Sequence, residues 1–417
     1  MSDNSKHLFV EKDDLLKNKT FCMIPWTHLH TWPDGRVLTC CMSDMNDSMG
    51  NLKDMSLEQA WNSPQQKQLR KDLLAGKPNK ICKRCYEQER HSINTTRTWA
   101  NEKLAHHWDT VESTKEDGTV DKVNLPYIDF RFSNLCNFKC RTCGPDLSSS
   151  WYEDNVKLYG PLKQPKIIRP YKDEETFWQK VEPYMDGLEE IYFAGGEPLI
   201  MEEHYRILKK LDERKMYHVR LKYNTNFSQM TFKKLDVMEI WNRFESVKIG
   251  ASLDGMGKRG EYLRKGQSWQ QVEDNRKRMF DVCPDVYIFL ATCLNVYNCF
   301  HVPDFHHEWI QRGWVDAVGG SLINPLFVPE ELSIQVLPLE IKKRLEERYR
   351  KEQEWFDNHT NNKEKRYEKL IHFMYEKDHS HLLPKFWERT DMVDKLRGED
   401  FISLFPELAD LRIPEQA

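Results

Sequence analysis

Between residues 123 and 332 the chain alternates short apolar runs with longer stretches in which apolar residues recur every three or four positions. The short runs, rich in β-branched and aromatic residues, fall at 127–132, 190–193, 219–223, 247–253, 286–292 and 317–323 and predict strands. The longer stretches, at 173–184, 202–214, 228–241, 268–281 and 302–312, predict helices. In the second of them Tyr205, Leu208 and Leu211 form one apolar face. Six strands alternating with helices call for a parallel sheet, because parallel neighbours need crossover connections and helices supply them. The expected fold class is therefore α/β, with ligands gathered at the carboxyl ends of the strands, where the loops converge. From Pro338 onward the pattern turns helical and charged, with Ile341, Leu345, Tyr349 and Phe356 on one stripe and Tyr367, Leu370, Ile371 and Met374 on another. This predicts a helical C-terminal extension, 333–417, covering the α/β domain at 123–332. A polar segment at 112–122 reads as a linker and leaves 1–111 as an amino-terminal domain.

Composition narrows the picture. A chain of 417 residues exceeds what one core serves, and 39% hydrophobic with 31% charged residues is the make-up of an ordinary globular protein. A net charge of -4 supplies no general attraction to nucleic acid or to an anionic membrane. The first twenty residues lack the apolar core of a signal peptide, and the longest apolar run, 286–296, is too short to cross a bilayer. The expected location is the cytoplasm, where eleven cysteines do not make a disulfide framework and clustered thiols point to metal. Eight fall in two groups: Cys22, Cys40, Cys41, Cys82 and Cys85, then Cys136, Cys140 and Cys143. Cys283, Cys293 and Cys299 are scattered and read as packing residues or incidental thiols.

The second group lies just after the first predicted strand of the α/β domain, in a loop at its carboxyl end. Thiolates are the usual ligands of iron–sulfur clusters, and three of them leave one iron of a four-iron cubane open to an outside ligand. The Cys136-x-x-x-Cys140-x-x-Cys143 spacing resembles the signature of the radical SAM enzymes. That resemblance implies a partial (β/α)6, TIM-like barrel and a [4Fe–4S] cluster whose fourth iron is chelated by S-adenosylmethionine. It further implies reductive cleavage of that cofactor to a 5′-deoxyadenosyl radical, which takes a hydrogen atom from substrate. Gly195, Gly196, Glu197 and Pro198 end the second strand and resemble the family's GGEP motif, which meets the methionyl amino group; glycines permit close backbone approach and an acidic group suits an ammonium. Ser252, Asp254 and the downstream Arg264 resemble the S-x-D-G segment and arginine of peptide-modifying members, implying contacts to the cofactor's carboxylate and ribose. Asn224 ends the third strand and is expected to face the same cleft. Thr142 departs from the pattern, which has an aromatic residue before the third cysteine.

In the amino-terminal group, Gly35 within Pro-Asp-Gly reads as a hairpin turn returning Cys40 to Cys22, while Cys82 and Cys85, two residues apart, suit one metal. The order of cysteine, glycine, cysteine, Gly-Asn, tryptophan and later cysteines resembles the SPASM and twitch auxiliary-cluster modules. The resemblance implies a second [4Fe–4S] cluster held by Cys22, Cys40, Cys82 and Cys85, with Cys41 the rival to Cys40. In better-known relatives this module follows the barrel; here it precedes it. A structural zinc would use the same four thiolates. His28 and His30 alternate as on a strand and read as structural or exposed.

These features lead to the expectation of a radical SAM enzyme acting on a peptide or protein side chain, supplied by an external electron donor of flavodoxin or ferredoxin type. The alternatives are a metal-stabilised binding protein without turnover, a small-molecule dehydrogenase, and a nucleic-acid modifier, the last disfavoured by the charge balance. No residue is assigned as substrate acid or base.

Overall fold

The computed structural model describes residues 11–90, 94–360 and 365–412. The readings of the first ten residues and of the end of the C-terminal extension lie outside the described residues. The fold is mixed α/β, with an eight-stranded, parallel-dominated sheet and a helical C-terminal region. The chain forms two compact units.

The first unit takes in the chain through Asn134, then Ile167–Gly196 and Leu211–Leu221. Its strands are β1 (His30–Thr31), β2 (Val37–Leu38), β3 (Tyr127–Phe130) and β4 (Glu190–Phe193), in the order β4-β3-β1-β2. β1 and β2 are the expected hairpin, closed at Gly35, whose φ of +94° is a conformation that side-chain-bearing residues rarely adopt. The hairpin also reaches outward: β1 pairs in parallel with β3, His30 opposite Asp129, so the cysteine-rich module continues the sheet. His28 and His30 are fully buried rather than exposed. His28 Nδ1 lies 3.0 Å from the Tyr127 carbonyl, and His30 Nδ1 lies 3.1 Å from Asp129 Oδ2.

The second unit comprises Leu135–Lys166, Glu197–Lys210 and the chain from Lys222. It holds the main part of β5 (Arg220–Thr225), with β6 (Val247–Ala251), β7 (Tyr287–Leu294) and β8 (Ser321–Pro325) in the order β8-β7-β6-β5. β7 runs parallel to both β6 and β8. Alternation in β5 buries Tyr223 and Thr225 and leaves Lys222 and Asn224 half-buried. Both predicted C-terminal stripes are buried in a single cluster, where Ile341, Leu345, Tyr349, Tyr367 and Met374 pack with Leu294, Tyr297 and Val302.

Two helical expectations change. The stretch 228–241 is helical only over Val237–Trp241, capped by Asp236; before it Thr231–Phe232 and Leu235–Asp236 form a small antiparallel ribbon. The ribbon turns at Lys233, whose φ is +54°, and the Ser228 hydroxyl donates to Asn226 Oδ1 at 2.6 Å. The helix expected at 173–184 ends at Val181 and tightens into a 3-10 turn containing Pro183, which has no N–H to continue an α-helical ladder.

Candidate functional site

Cys136, Cys140 and Cys143 occupy a loop in the second unit that is tied down along its length. Lys139–Cys140 pairs antiparallel with Arg264–Lys265, placing Cys140 opposite Arg264. The Cys140 carbonyl accepts from Trp151 Nε1 at 2.7 Å and from the Cys143 N–H at 3.1 Å. The Cys136 carbonyl accepts from the Ser150 hydroxyl at 2.7 Å, and the Phe138 N–H lies 3.4 Å from the Cys136 sulfur. Asn137 joins the loop to the end of β5 through Asn226 Nδ2 at 2.8 Å and the Ser228 hydroxyl at 3.0 Å. Burial raises all three thiols, Cys143 to about 12, and Cys140 and Cys143 add to the rise at Cys136. Three sulfurs that mutually disfavour ionisation are a donor set that a cation would stabilise as thiolates.

The other predicted residues of this unit stand at neighbouring strand ends. Arg264 is ion-paired with Asp254, Nε to Oδ2 at 2.9 Å, and its Nη1 lies 3.7 Å from the Cys140 sulfur. Asp254 also accepts from the Cys293 N–H at 2.8 Å. Glu197 is buried, and its carboxylate takes three donors from the chain itself: the Asn226 N–H at 2.6 Å, the Thr225 hydroxyl at 2.7 Å and the Leu199 N–H at 3.0 Å. Burial pushes Glu197 up to about 7 against the pull of those bonds. Pro198 is buried in the short turn that Glu197 caps. Ser252 is held at the end of β6 by its N–H to the Thr225 carbonyl, 2.7 Å, and its hydroxyl takes no hydrogen-bond partner among the described residues. Asn224 lies across Gly250, where an added Cβ would stand 2.4 Å from Asn224 Oδ1. In the first unit Gly195 has φ +87°, with Arg131 packed 3.1 Å from where its Cβ would be, and Gly196 follows it to the Glu197 turn.

Sequence reasoning passed over several of these supports. Asn137, Asn226, Ser150 and Trp151 carry no motif, and only the density of polar residues around the cysteines hinted at them. Cys293, read among the scattered thiols, stands beside the site: burial pushes it up to about 12, and Asp254, Arg264 and Cys140 all act on it. Thr142 faces Cys293 through a side-chain hydrogen bond.

The second thiol set lies within the first unit. Cys22, Cys40, Cys82 and Cys85 line one pocket of about 350 Å³, part of it open to solvent, with Ile24, Ile81 and Arg97 in its wall. Cys41 is absent from that lining; Asp129, Arg131, the Thr96 hydroxyl and Cys85 all act on it. Burial pushes Cys82 up to about 12 with Cys85 adding to the rise, and Cys82 and Cys85 both add to the rise that burial causes at Cys22 and Cys40. Arg97 bridges the two halves of the pocket: its Nη1 donates to the Phe21 carbonyl at 2.9 Å, and its Nε donates to Glu89 at 2.9 Å. Among the described residues the only three metal-ligating atoms within 4.8 Å of one another are those of His106, His107 and Glu189, on the surface of this unit.

Residues 22–86 match the SPASM family, an iron–sulfur cluster-binding domain. This segment is a SPASM domain. It contains Cys22, Cys40, Cys41, Cys82 and Cys85 and the β1–β2 hairpin, while Arg97 lies just beyond it. No curated protein matches the chain. Among solved structures, anSMEcpe with bound AdoMet is similar at 19% identity over 55% of this chain and 60% of that one, TM-score 0.35. Streptococcus suis SuiB bound to S-adenosylmethionine is similar at 14% identity over 56% of this chain and 44% of that one, TM-score 0.34. TYW1 with a lysine–pyruvate adduct bound is similar at 9% identity over 54% and 70%, TM-score 0.28. The chain thus spans about three-fifths of the length of anSMEcpe and less than half of SuiB. No described helix is long and apolar enough to cross a membrane.

Proposed function

We propose that this chain is a radical SAM enzyme with an auxiliary cluster in its SPASM domain. In this reading residues 1–111 form the auxiliary-cluster domain, 112–122 the linker, 123–332 the catalytic barrel and 333–417 the helical extension. The observation that carries it is the ribbon that sets Cys140 against Arg264, whose guanidinium spans Asp254 and the Cys140 sulfur at one cluster of strand ends.

Cys136, Cys140 and Cys143 would hold a [4Fe–4S] cluster, which when bound supplies the electron that cleaves S-adenosylmethionine. Ser252 and Asn224 offer polar side chains at the ends of β6 and β5 for the cofactor's carboxylate and ribose. Arg264 adds a cation fixed by Asp254, and Gly195 and Gly196 bring bare backbone to the turn before Glu197 and Pro198. Glu197, with three internal donors, braces that turn and the end of β5 while keeping acceptor capacity for an ammonium. Cys22, Cys40, Cys82 and Cys85 would hold the second cluster. The S-x-D-G pattern favours a peptide or protein side chain as substrate, with an external electron donor of flavodoxin or ferredoxin type and a cytoplasmic setting.

The test is direct. Anaerobically reconstituted protein, reduced with dithionite and given S-adenosylmethionine, should release methionine and 5′-deoxyadenosine, and Cys140→Ala should release neither. Undiminished release from that variant would overturn the assignment of the loop. Colourless protein holding zinc and no iron would replace the enzyme by a metal-stabilised binding protein.

A further inference from the structure

The C-terminal extension does more within the second unit than cover apolar surface. Arg141, between Cys140 and Cys143, is 2% exposed, and every hydrogen-bonding part of its backbone is engaged. Its N–H donates to the Leu263 carbonyl at 2.9 Å, and its carbonyl accepts from Arg389 Nη2 at 3.2 Å. Its guanidinium is paired with Asp394 and with Glu399, the latter at 2.6 Å, and stacks on the Tyr262 ring at 3.6 Å. Arg389 and Asp394 belong to the helix Leu383–Arg397, and Glu399 follows its Gly398 cap. The same element reaches the other residues around Cys140. Glu399 accepts from Lys265 at 2.7 Å, on the strand paired with Cys140. Arg397 donates to Asp154 at 3.0 Å, and the other oxygen of Asp154 holds Lys139, the residue before Cys140, at 2.7 Å. Arg397 also lies 4.5 Å from the ring of Trp151, which holds the Cys140 carbonyl.

The residues on either side of Cys140 and its partner strand are therefore tied, directly or through Asp154, to the helix Leu383–Arg397 and the Glu399 just after it, more than 240 positions beyond Cys140 in sequence. A helix needed only to seal the core would be met by its apolar residues Leu383, Phe386 and Val393, which are already buried. Buried ion pairs of this kind are poor sources of stability but good sources of unique geometry, because any other arrangement strands a charge. We propose that Arg141, with Asp394 and Glu399, is a positioning device that fixes the Cys140–Cys143 turn, so that the C-terminal extension is part of the cluster-binding apparatus. This rests on the reading of Cys136, Cys140 and Cys143 as cluster ligands.

The experiment compares wild type with Arg141→Met, Asp394→Asn/Glu399→Gln and the triple variant, all full length and reconstituted anaerobically. Wild type should bind about eight irons, four to each site. In the variants iron release to a chelator from the Cys140 site should accelerate by about tenfold or more, leaving about four irons in the SPASM domain. The electron paramagnetic resonance change caused by added S-adenosylmethionine should be lost with it. The triple variant should be no worse than Arg141→Met, since the three residues act as a unit. Circular dichroism and the retained SPASM iron separate this outcome from general unfolding. Wild type without iron at the Cys140 site would sink the cluster reading itself. Wild-type release rates and an unchanged cofactor response in the variants would sink only the positioning role, as would equal loss of iron from both sites. Where Arg141→Met fails to fold, Glu399→Gln alone, which leaves Asp394 paired, should show the same selective release at reduced size; wild-type behaviour there overturns the proposal.

Discussion

At Gly250 one added methyl group would stand 2.4 Å from Asn224 Oδ1, 2.9 Å from Phe289 and 3.0 Å from the Tyr223 carbonyl. Nothing in that list yields easily, because all three residues are held in strands and the Tyr223 carbonyl is backbone. Gly250→Ala should cost about 1–3 kcal/mol of stability and displace Asn224, read as a lowered unfolding midpoint together with weakened S-adenosylmethionine binding. Asp129 supplies a second test at the same scale. Burial alone would push its carboxyl up, but Arg131 and His30 outweigh that and hold it well below the usual carboxylate range. A depressed folded pKa contributes stability that is fully present above the unfolded value of about 3.9 and is lost as the pH falls through the folded one. Asp129→Asn should therefore cost about 3–5 kcal/mol near neutrality by stranding Arg131, with its deficit against wild type shrinking only below about pH 4 in acid-unfolding curves. Single residues were legible in the sequence where chemistry restricts the residue type. The cysteines stood out because few other side chains supply a thiolate. Cys40 and Cys41 could not be told apart, because adjacent residues differ in direction and not in position, and direction is set by the hairpin.

The hairpin is also where element-scale reading succeeded most. Pro-Asp-Gly needs a positive φ at its glycine, and the turn follows from that local requirement; an added Cβ there would meet Asn51 Oδ1 at 2.3 Å. Gly35→Val should open the turn, separate Cys40 from Cys22 and lower the iron of the SPASM domain, while iron at the Cys140 site stays near wild type, as read by iron content in a Cys136/Cys140/Cys143-to-Ala background and its counterpart. The helix Trp269–Val282 lies within one residue of the expected 268–281, and Ser268 caps it by accepting from the Gln271 N–H. Ser268→Ala should cost about 1 kcal/mol, measured by urea unfolding. The stretch 228–241 misled at its start, Ser228. Its hydroxyl is used by Asn226, and Asn137 adds a further bond from the cysteine loop, partners 2 and 91 positions away. Local propensity cannot register a competitor that folding delivers from elsewhere in the chain.

At the scale of the whole molecule, the two thiol sets belong to different compact units and should load independently. Cys22→Ala should leave about four irons and a preserved spectroscopic response to S-adenosylmethionine, whereas Cys136→Ala should leave about four irons and no response. The α/β class, the parallel-dominated sheet and the helical C-terminal region could be read from the chain alone, because each depends on hydrophobic period and on the need of parallel strands for crossovers. The thiol spacing and the SPASM domain were readable for a similar reason: Cys136, Cys140 and Cys143 fall within eight residues, and Cys82 and Cys85 within four. Tertiary structure alone decided that β1 of the SPASM domain extends the sheet beside β3, that Cys293 stands next to Arg264 and Asp254, and that the last long helix grips Arg141. Each of these is a contact between residues far apart in sequence. Whether such residues meet depends on the packing of everything between them, and no local pattern encodes it.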